Sequence, residues 1–596
     1  IIYLKENRLE EAYTFLEESI KTLEGSRNIC KVVLELNFQE KAWLIYSAMI
    51  SLCLSTGRKE DAFSYLERGK QRVFLRQIKT AGIRFGNQGL EDLSDKLSQR
   101  YQENFRLSRQ TDDESQKALD NIHKEINLLE SEYEAKLIEL FKNDPYESSL
   151  SYSKVLLEKH KKRIEELQFI INNETALLEY YYEQNIGLVI FVITKEHDLF
   201  VYTDKNVDDL LKSLSMINVL IKQGKDLPQQ SLEEHLREFN YYSGKLYEQL
   251  IAPVNDYLNK NGIHNLKIVP FELLHNLPFC ALYNSITGKY LIEEYIISQC
   301  PNAEIYTFLR KLHKNLNKLF IIVNPKGTLL FSVDSCYVHE FNKGNLSQEL
   351  RKEFEKNDIY LSQKIAITAK NENDSWLLRD EDNQKNYYIT KNGDYLCIYS
   401  DFIENAEDET MSVSKGFLGN QIRHDMHDIC GREVRICKEH DASIDNFYSN
   451  GTWADVIHII AHGVSFGNPM YSHILLCDKL GNPYYLSVSE IMTKLSGQLK
   501  GSIVILSSCE SGLSLLRPGD ELLGFVLAFL KAGCTTLLVS LWKVDDKATS
   551  KMMKEFYTNL RENPEFSAES LRNAILRVKE EYPTPYYWAP FIHIGV

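Results

Sequence analysis

Two short runs constrain the fold more than anything else in the chain. Val456-Ile-His-Ile-Ile-Ala-His-Gly463 and Ser502-Ile-Val-Ile-Leu-Ser-Ser-Cys-Glu-Ser-Gly512 are apolar and rich in β-branched residues, with no polar alternation. A strand with one face in water alternates, whereas a run that is apolar on both faces marks a strand buried in a parallel sheet. Each run ends in reactive side chains followed by glycine: His462 before Gly463, and Cys509 shortly before Gly512. Open parallel sheets receive ligands beyond the carboxyl ends of their strands, so neighbouring strands that stop at His462 and Cys509 aim both side chains into one cleft.

Size and charge bound the rest. At 596 residues the chain exceeds one hydrophobic core, and about three or four domains are expected. A net charge of −15 argues against direct nucleic-acid or anionic-membrane binding, which needs clustered Lys and Arg. The eleven cysteines include no CxxC pair, and Cys430 and Cys437 are spaced wrongly for a zinc knuckle. A reducing cytoplasm is the expected setting, with no metal and no cofactor. No apolar run approaches the ~18 residues of a membrane span, the longest being Gly187 to Thr194 and Leu522 to Leu530. There is no signal peptide; Ile1-Ile2 sits inside a helical pattern, so further chain is expected upstream.

Four regions are predicted. Residues 1–85 are helical: Asn7-x4-Ala12-x3-Leu16 recurs as Gly57-x4-Ala62-x3-Leu66, a turn residue, a small residue and a large apolar residue at tetratricopeptide-like offsets, though spaced more widely than the usual repeat. Residues 86–170 read as a long helical hairpin or coiled coil, with Leu119, Ile122, Ile126, Leu129, Tyr133 and Leu137 at helical spacing. Residues 171–315 open with an antiparallel meander, Ala176 to Tyr182, Ile186 to Thr194 and Leu199 to Thr203, followed by helices and a buried stretch from Leu266 to Leu282. Residues 316–596 begin a fresh parallel sheet at Leu319 to Asn324, interrupted at about 330–440 by a polar, β-rich inserted unit with an acidic run, Glu404 to Glu409, in an exposed loop. The parallel pattern resumes at Val456 and continues through Ile503 and Thr536, with crossover helices near 487–497 and 520–531.

A thiol is only slightly ionised at neutral pH, so a cysteine nucleophile needs a nearby base, which an imidazole on the next strand supplies. Gly463 lets its backbone N–H approach a reacting carbonyl and, with the N–H of Cys509, forms an oxyanion hole. Gly512 permits a sharp turn. His458 shares strand parity with His462, but no third ligand at suitable spacing accompanies the pair, which favours a structural role. His275 and Cys280, surrounded by apolar neighbours, are expected to be core residues.

Ile459-Ile-Ala-His-Gly463, Leu506-Ser-Ser-Cys-Glu-Ser-Gly512, Gly519-Asp-Glu-Leu-Leu-Gly524, Ala532-Gly533, Ser540-Leu-Trp-Lys-Val-Asp-Asp-Lys-Ala-Thr549 and Tyr587-Trp-Ala-Pro-Phe-Ile-His-Ile-Gly595 together resemble the CHAT proteases. These are caspase-like cysteine peptidases, related to caspases and separases and commonly fused behind tetratricopeptide repeats. Leu266 to Leu282, Tyr290 to Ser298 and Glu67-Arg-Gly-Lys-Gln-Arg72 resemble further segments typical of such chains. The resemblance implies an α/β caspase-like fold, a mostly parallel sheet flanked by helices, with a catalytically silent companion half at 171–315 and an all-α region before it. It also implies a cysteine endopeptidase with His462 as general base and Cys509 as nucleophile. Trp542 and Lys543 stand where caspases carry a subsite Trp and an Arg that pairs an acidic substrate residue. Asp545 and Asp546 lie near them, and an acidic or neutral residue is expected before the cut. A protein substrate and a protein or ribonucleoprotein activator docking on the N-terminal helices are the expected partners, in bacterial defence or regulated proteolysis. A non-catalytic scaffold and a self-processing switch cutting at 404–409 are the rivals.

Overall fold

The computed structural model describes residues 8–26, 32–70 and 160–596, the last span interrupted at 185, 197–198, 205–206, 313–315, 325–328 and 335–336 and at short stretches beyond, including 401–405, 419–431, 465–471, 508–514 and 518–520. Between 71 and 159 it describes only scattered helical positions from 93 to 132. Most of the predicted hairpin, including Leu119, Tyr133 and Leu137, therefore lies outside the described residues. Within it Ile122 and Ile126 are buried, and Arg100 bonds Glu125 at 2.8 Å.

An eleven-stranded sheet organises the molecule. In chain order its strands are β1 (Thr175–Glu183), β2 (Gly187–Ile193), β3 (Phe200–Asp204), β4 (Asn265–Val269), β5 (Ile296–Gln299), β6 (Lys318–Asn324), β7 (Glu433–Lys438), β8 (Val456–Ala461), β9 (Ile503–Leu506), β10 (Thr536–Ser540) and β11 (Phe591–Gly595). In space the order is β7-β6-β8-β9-β10-β11-β5-β4-β1-β2-β3. The first five of these run parallel. β11 then runs antiparallel to β10, with Leu538 opposite His593, while β5, β4 and β1 run parallel to β11. Residues 318–324 thus do not begin a fresh sheet. Pairing of β11 to β10 on one side and, through Ile594 and Gln299, to β5 on the other joins both halves into one sheet. The reversal at β11 puts the carboxyl ends of β6 to β10 at one edge of the sheet and those of β1, β4 and β5 at the opposite edge.

The central strands are fully buried, as their unbroken apolar sequence requires. Gly595 has φ +113°, and a Cβ there would lie 2.1 Å from the Thr535 carbonyl oxygen, so only glycine lets β11 close against the chain entering β10. His593 is buried on β11, its Nε2 hydrogen-bonded to Ser567 Oγ at 2.7 Å. Burial, and next the charge of Lys267, lower its pKa to about 3.

The N-terminal helices are α1 (Leu9–Ser26), α2 (Val32–Ser55) and α3 (Lys59–Gly69). Gly57, at φ +75°, makes the turn from α2 to α3, and Ala62 and Leu66 are buried, so the second copy of the repeated spacing is a helical hairpin. The first copy begins at Asn7, outside the described residues. The end of α3 enters the carboxyl edge of the companion strands. Glu67 accepts from Asn302 Nδ2 at 3.0 Å and from the Glu304 N–H at 3.1 Å, capping α4 (Ala303–Leu309) together with Asn302. Lys70 is wholly buried, donates to the Pro270 carbonyl at 2.9 Å and faces Glu179 at 3.4 Å. Burial first, and then the charge of Glu67, hold the Glu179 carboxyl well above the usual carboxylate range.

The inserted unit is narrower than 330–440. Five antiparallel strands between Leu329 and Ser400 close on helices at 338–343 and 348–355 around a core of their own, with Trp376, Phe341, Leu350 and Phe354 at its centre. Residues 406–418 form α5 (Ala406–Leu418), and 433–438 are the edge strand β7, so both belong to the main layer. The crossover predicted at 520–531 is also shorter: 521–523 pair with 515–517, and α6 (Phe525–Ala532) starts only after Gly524, whose φ of +140° breaks the helical path.

The neutral His593 makes the fold acid-sensitive. Its pKa is lowered from 6.5 to about 3, so its contribution is complete above pH 6.5 and is lost as pH falls toward 3, on the order of 5 kcal/mol in all. His593→Gln is expected to flatten the pH dependence of urea stability between pH 6.5 and 4 relative to the wild type.

Candidate active site

β8 and β9 lie side by side in parallel, Ile459 opposite Leu506, and the Ser507 N–H continues the ladder to the Ile459 carbonyl at 2.9 Å. His462 follows the last residue of β8 and is half-buried at the carboxyl edge of the sheet. Ser507 follows the last residue of β9 at the same edge. Cys509 is two residues further along the chain and, like Gly512, lies outside the described residues. The hairpin of Gly463–Val464 with His473–Cys477 holds the histidine end, and the His462 carbonyl accepts from the Leu475 N–H at 2.9 Å. In an antiparallel ladder that bond makes Gly463 and Ile474 a non-hydrogen-bonded pair, which turns the Gly463 N–H away from the hairpin, as an oxyanion donor requires.

Beneath this edge lies a buried polar cluster drawn from four elements. His458 of β8 sits 3.0 Å from Glu409 Oε1 and 3.0 Å from Ser507 Oγ through Nε2, and 3.0 Å from the Tyr557 hydroxyl through Nδ1. Ser507 Oγ donates to Glu409 Oε1 at 2.6 Å. Glu409 is on α5 and Tyr557 on α7 (Asp546–Glu562), two helices packed on each other. Because Glu409 Oε1 can only accept, Nε2 carries the hydrogen, and Nδ1 then accepts from Tyr557. Burial, and next the charge of Glu409, push the Tyr557 phenol well above its usual range, which keeps the hydrogen that this bond uses. Serine, histidine and glutamate here do not form a second hydrolytic triad. Acid and serine share one ring nitrogen, and all four side chains are buried away from substrate.

The remaining predicted residues separate by role. Trp542 is buried and donates its indole N–H to the Tyr586 carbonyl at 3.0 Å, while the Tyr586 hydroxyl donates to the Lys543 carbonyl at 2.8 Å. The Lys543 side chain is exposed. Asp545 caps α7, accepting from the Ala548 N–H at 2.9 Å, and Asp546 is its first residue. His275 is buried, and Cys280 Sγ faces the Ala589 carbonyl at 3.9 Å with its thiol pushed up to about 12 by burial, a poor nucleophile far along the sheet from His462. Among the described residues no group of His, Cys, Asp and Glu is arranged to hold a metal ion, and no helix is long and apolar enough to cross a membrane.

Glu409 and Tyr557 were not marked by sequence. The acidic run was expected in an exposed loop, yet 406–409 are helical and Glu409 is 3% exposed. One signal was present: a histidine inside a wholly apolar strand demands a polar partner from another element.

A half-buried His462 and the Ser507 end of β9 at the carboxyl edge of adjoining strands, in a mostly parallel sheet flanked by helices, define an α/β protein of caspase-like architecture. The chain belongs to the CHAT domain family, whose model matches residues 241–596. Among solved structures it is similar to the Saccharomyces cerevisiae separase in complex with securin, at 10% identity over 99% of this chain and 40% of that one, with a TM-score of 0.41. It is also similar to the Arg specific cysteine proteinase gingipain R, RgpB of Porphyromonas gingivalis, at 9% identity over 65% of this chain and 75% of that one, with a TM-score of 0.31. The chain has no match among curated proteins.

Tyr557→Phe removes the donor to His458 and leaves a buried acceptor unpaired. A loss of about 1–3 kcal/mol in urea denaturation is expected, with the change confined to the midpoint rather than the slope.

Proposed function

We propose that the chain is a cysteine endopeptidase acting through His462 and Cys509. The observation that carries this is the placement of His462-Gly463 and of the Ser507 end of β9 at one edge of adjacent parallel strands in a CHAT-family chain. His462 takes the thiol proton, and the Cys509 sulfur attacks the scissile carbonyl. The N–H groups of Gly463 and Cys509 stabilise the oxyanion. As the C–N bond breaks, His462 returns the proton to the departing amine and a thioester remains. Water, deprotonated by His462, then releases the acid and regenerates the thiol.

Lys543 is proposed to face the substrate residue before the cut, with Trp542 as the wall behind it. The lysine is exposed at the surface while its backbone is fixed by Tyr586, which suits a charge reader on a rigid mount. Asp545, which caps α7, and Asp546 lie beside the proposed subsite and pull the other way, against a strongly acidic substrate residue. The reading includes control by a protein or ribonucleoprotein activator on the N-terminal helices, in the cytoplasm and in bacterial defence or regulated proteolysis. Glu67 and Lys70, which anchor α3 in the companion half, give such an activator a mechanical route to the sheet.

With activator present, Cys509→Ala is expected to abolish both cleavage and labelling by an electrophilic peptide trap. His462→Ala should lower kcat by at least about a thousandfold. A wild type that neither labels nor cuts would sink the proposal. In a peptide library, Lys543→Glu is expected to weaken preference for an acidic residue before the cut by about tenfold in kcat/KM; strong cleavage after Arg by the wild type would refute this subsite.

A further inference from the structure

We infer that Glu409 is a positioning residue for the reaction, clamping the strands that lead to His462 and Cys509. The inference rests on the peptidase assignment above but concerns a residue outside the dyad and on a different element. Glu409 Oε1 meets two partners at once: Ser507 Oγ at 2.6 Å, where β9 ends, and His458 Nε2 at 3.0 Å, within β8. Ser507 is two residues before Cys509, and His458 is four residues before His462. A single carboxylate oxygen therefore ties the Ser507 side chain at the end of β9 to His458 in β8, adding a side-chain link to the backbone ladder between the two strands. His458 is itself held from its other side by Tyr557 on α7, so the clamp is anchored to two packed helices rather than to the sheet alone.

Burial makes this bond set demanding. Glu409, His458 and Ser507 are 3%, 0% and 5% exposed, so water cannot replace a lost partner without opening the packing. Glu409 accepts from both Ser507 Oγ and the His458 N–H; its removal orphans the Ser507 hydroxyl hydrogen and leaves the His458 N–H only Ser507 Oγ, 3.0 Å away. The strand ends then lose a common reference point, and misplacement by about 1 Å between nucleophile and base is enough to cost about a hundredfold in rate. Glutamine offers a carbonyl oxygen in the same place, so it can keep the two acceptor bonds while an NH2 group replaces the second carboxyl oxygen.

The test uses the full chain with its activator and the peptide it cuts best from a library. Glu409→Ala is expected to lower kcat about a hundredfold while KM changes less than about threefold, and Glu409→Gln to restore kcat to within about tenfold of wild type. Alkylation of Cys509 by iodoacetamide supplies a readout independent of peptide cleavage, expected to slow at least about fivefold in Glu409→Ala. If Glu409→Ala does not fold, Ser507→Ala, which removes only the hydroxyl end of the clamp, should show the same fall in kcat at constant KM. Folded variants that keep wild-type kcat and alkylation rate overturn the inference. A wild type whose Cys509 alkylates but never cuts overturns the peptidase assignment instead, and the alkylation rates of the variants then decide the clamp.

Discussion

The antiparallel pairing of β11 with β10 is the constraint on which the architecture depends. Five strands run one way, and a sixth laid parallel to them would have extended a single crevice along one edge. Because the sixth runs back, every strand paired in parallel to it opens toward the other edge. The sheet therefore presents strand carboxyl ends at two opposite edges, of which only one adjoins His462. Gly595 is the local condition for this arrangement, since any side chain there would collide with the backbone that leads into β10.

Both edges are finished with buried charge supplied by a helix from elsewhere in the chain. At the His462 edge α5 brings Glu409 to His458 and Ser507. At the companion edge α3 brings Glu67 to the start of α4 and Lys70 to the carbonyl after β4. A buried charge is tolerated only where donors and acceptors are already in place, so each contact specifies its own position. A leucine in either place would slide. The companion edge is occupied by the protein's own helix, whereas at the His462 edge the Glu409 carboxylate is buried beneath the strand ends.

Much of the candidate site was legible because it is local. The apolar runs at 456–461 and 503–506 could be nothing but buried strands, and His462 and Ser507, which follow them, fell at the matching edge, while Cys509 lies outside the described residues. What escaped was non-local. Nothing in Phe591 to Gly595 says that it pairs with a strand near residue 299 as well as with β10, so a continuous sheet looked like two. Glu409 was hidden inside a run of acids whose composition suggests solvent, while its helix turns that one carboxylate inward. The helix expected at 520–531 failed on a single backbone angle at Gly524, which no periodicity reports.

The anchoring of α3 has a consequence for the order in which the molecule assembles. Glu67 and Asn302 are 235 residues apart in the chain, and Lys70 and Pro270 are 200 apart. Closing a loop of that length costs about 5 kcal/mol of chain entropy before any contact is gained. Lys70 also has no acceptable burial site until β1 supplies Glu179 and β4 has delivered Pro270. The helices that precede the sheet in the chain are thus secured after it, and contacts this distant in sequence make their docking a slow step of folding.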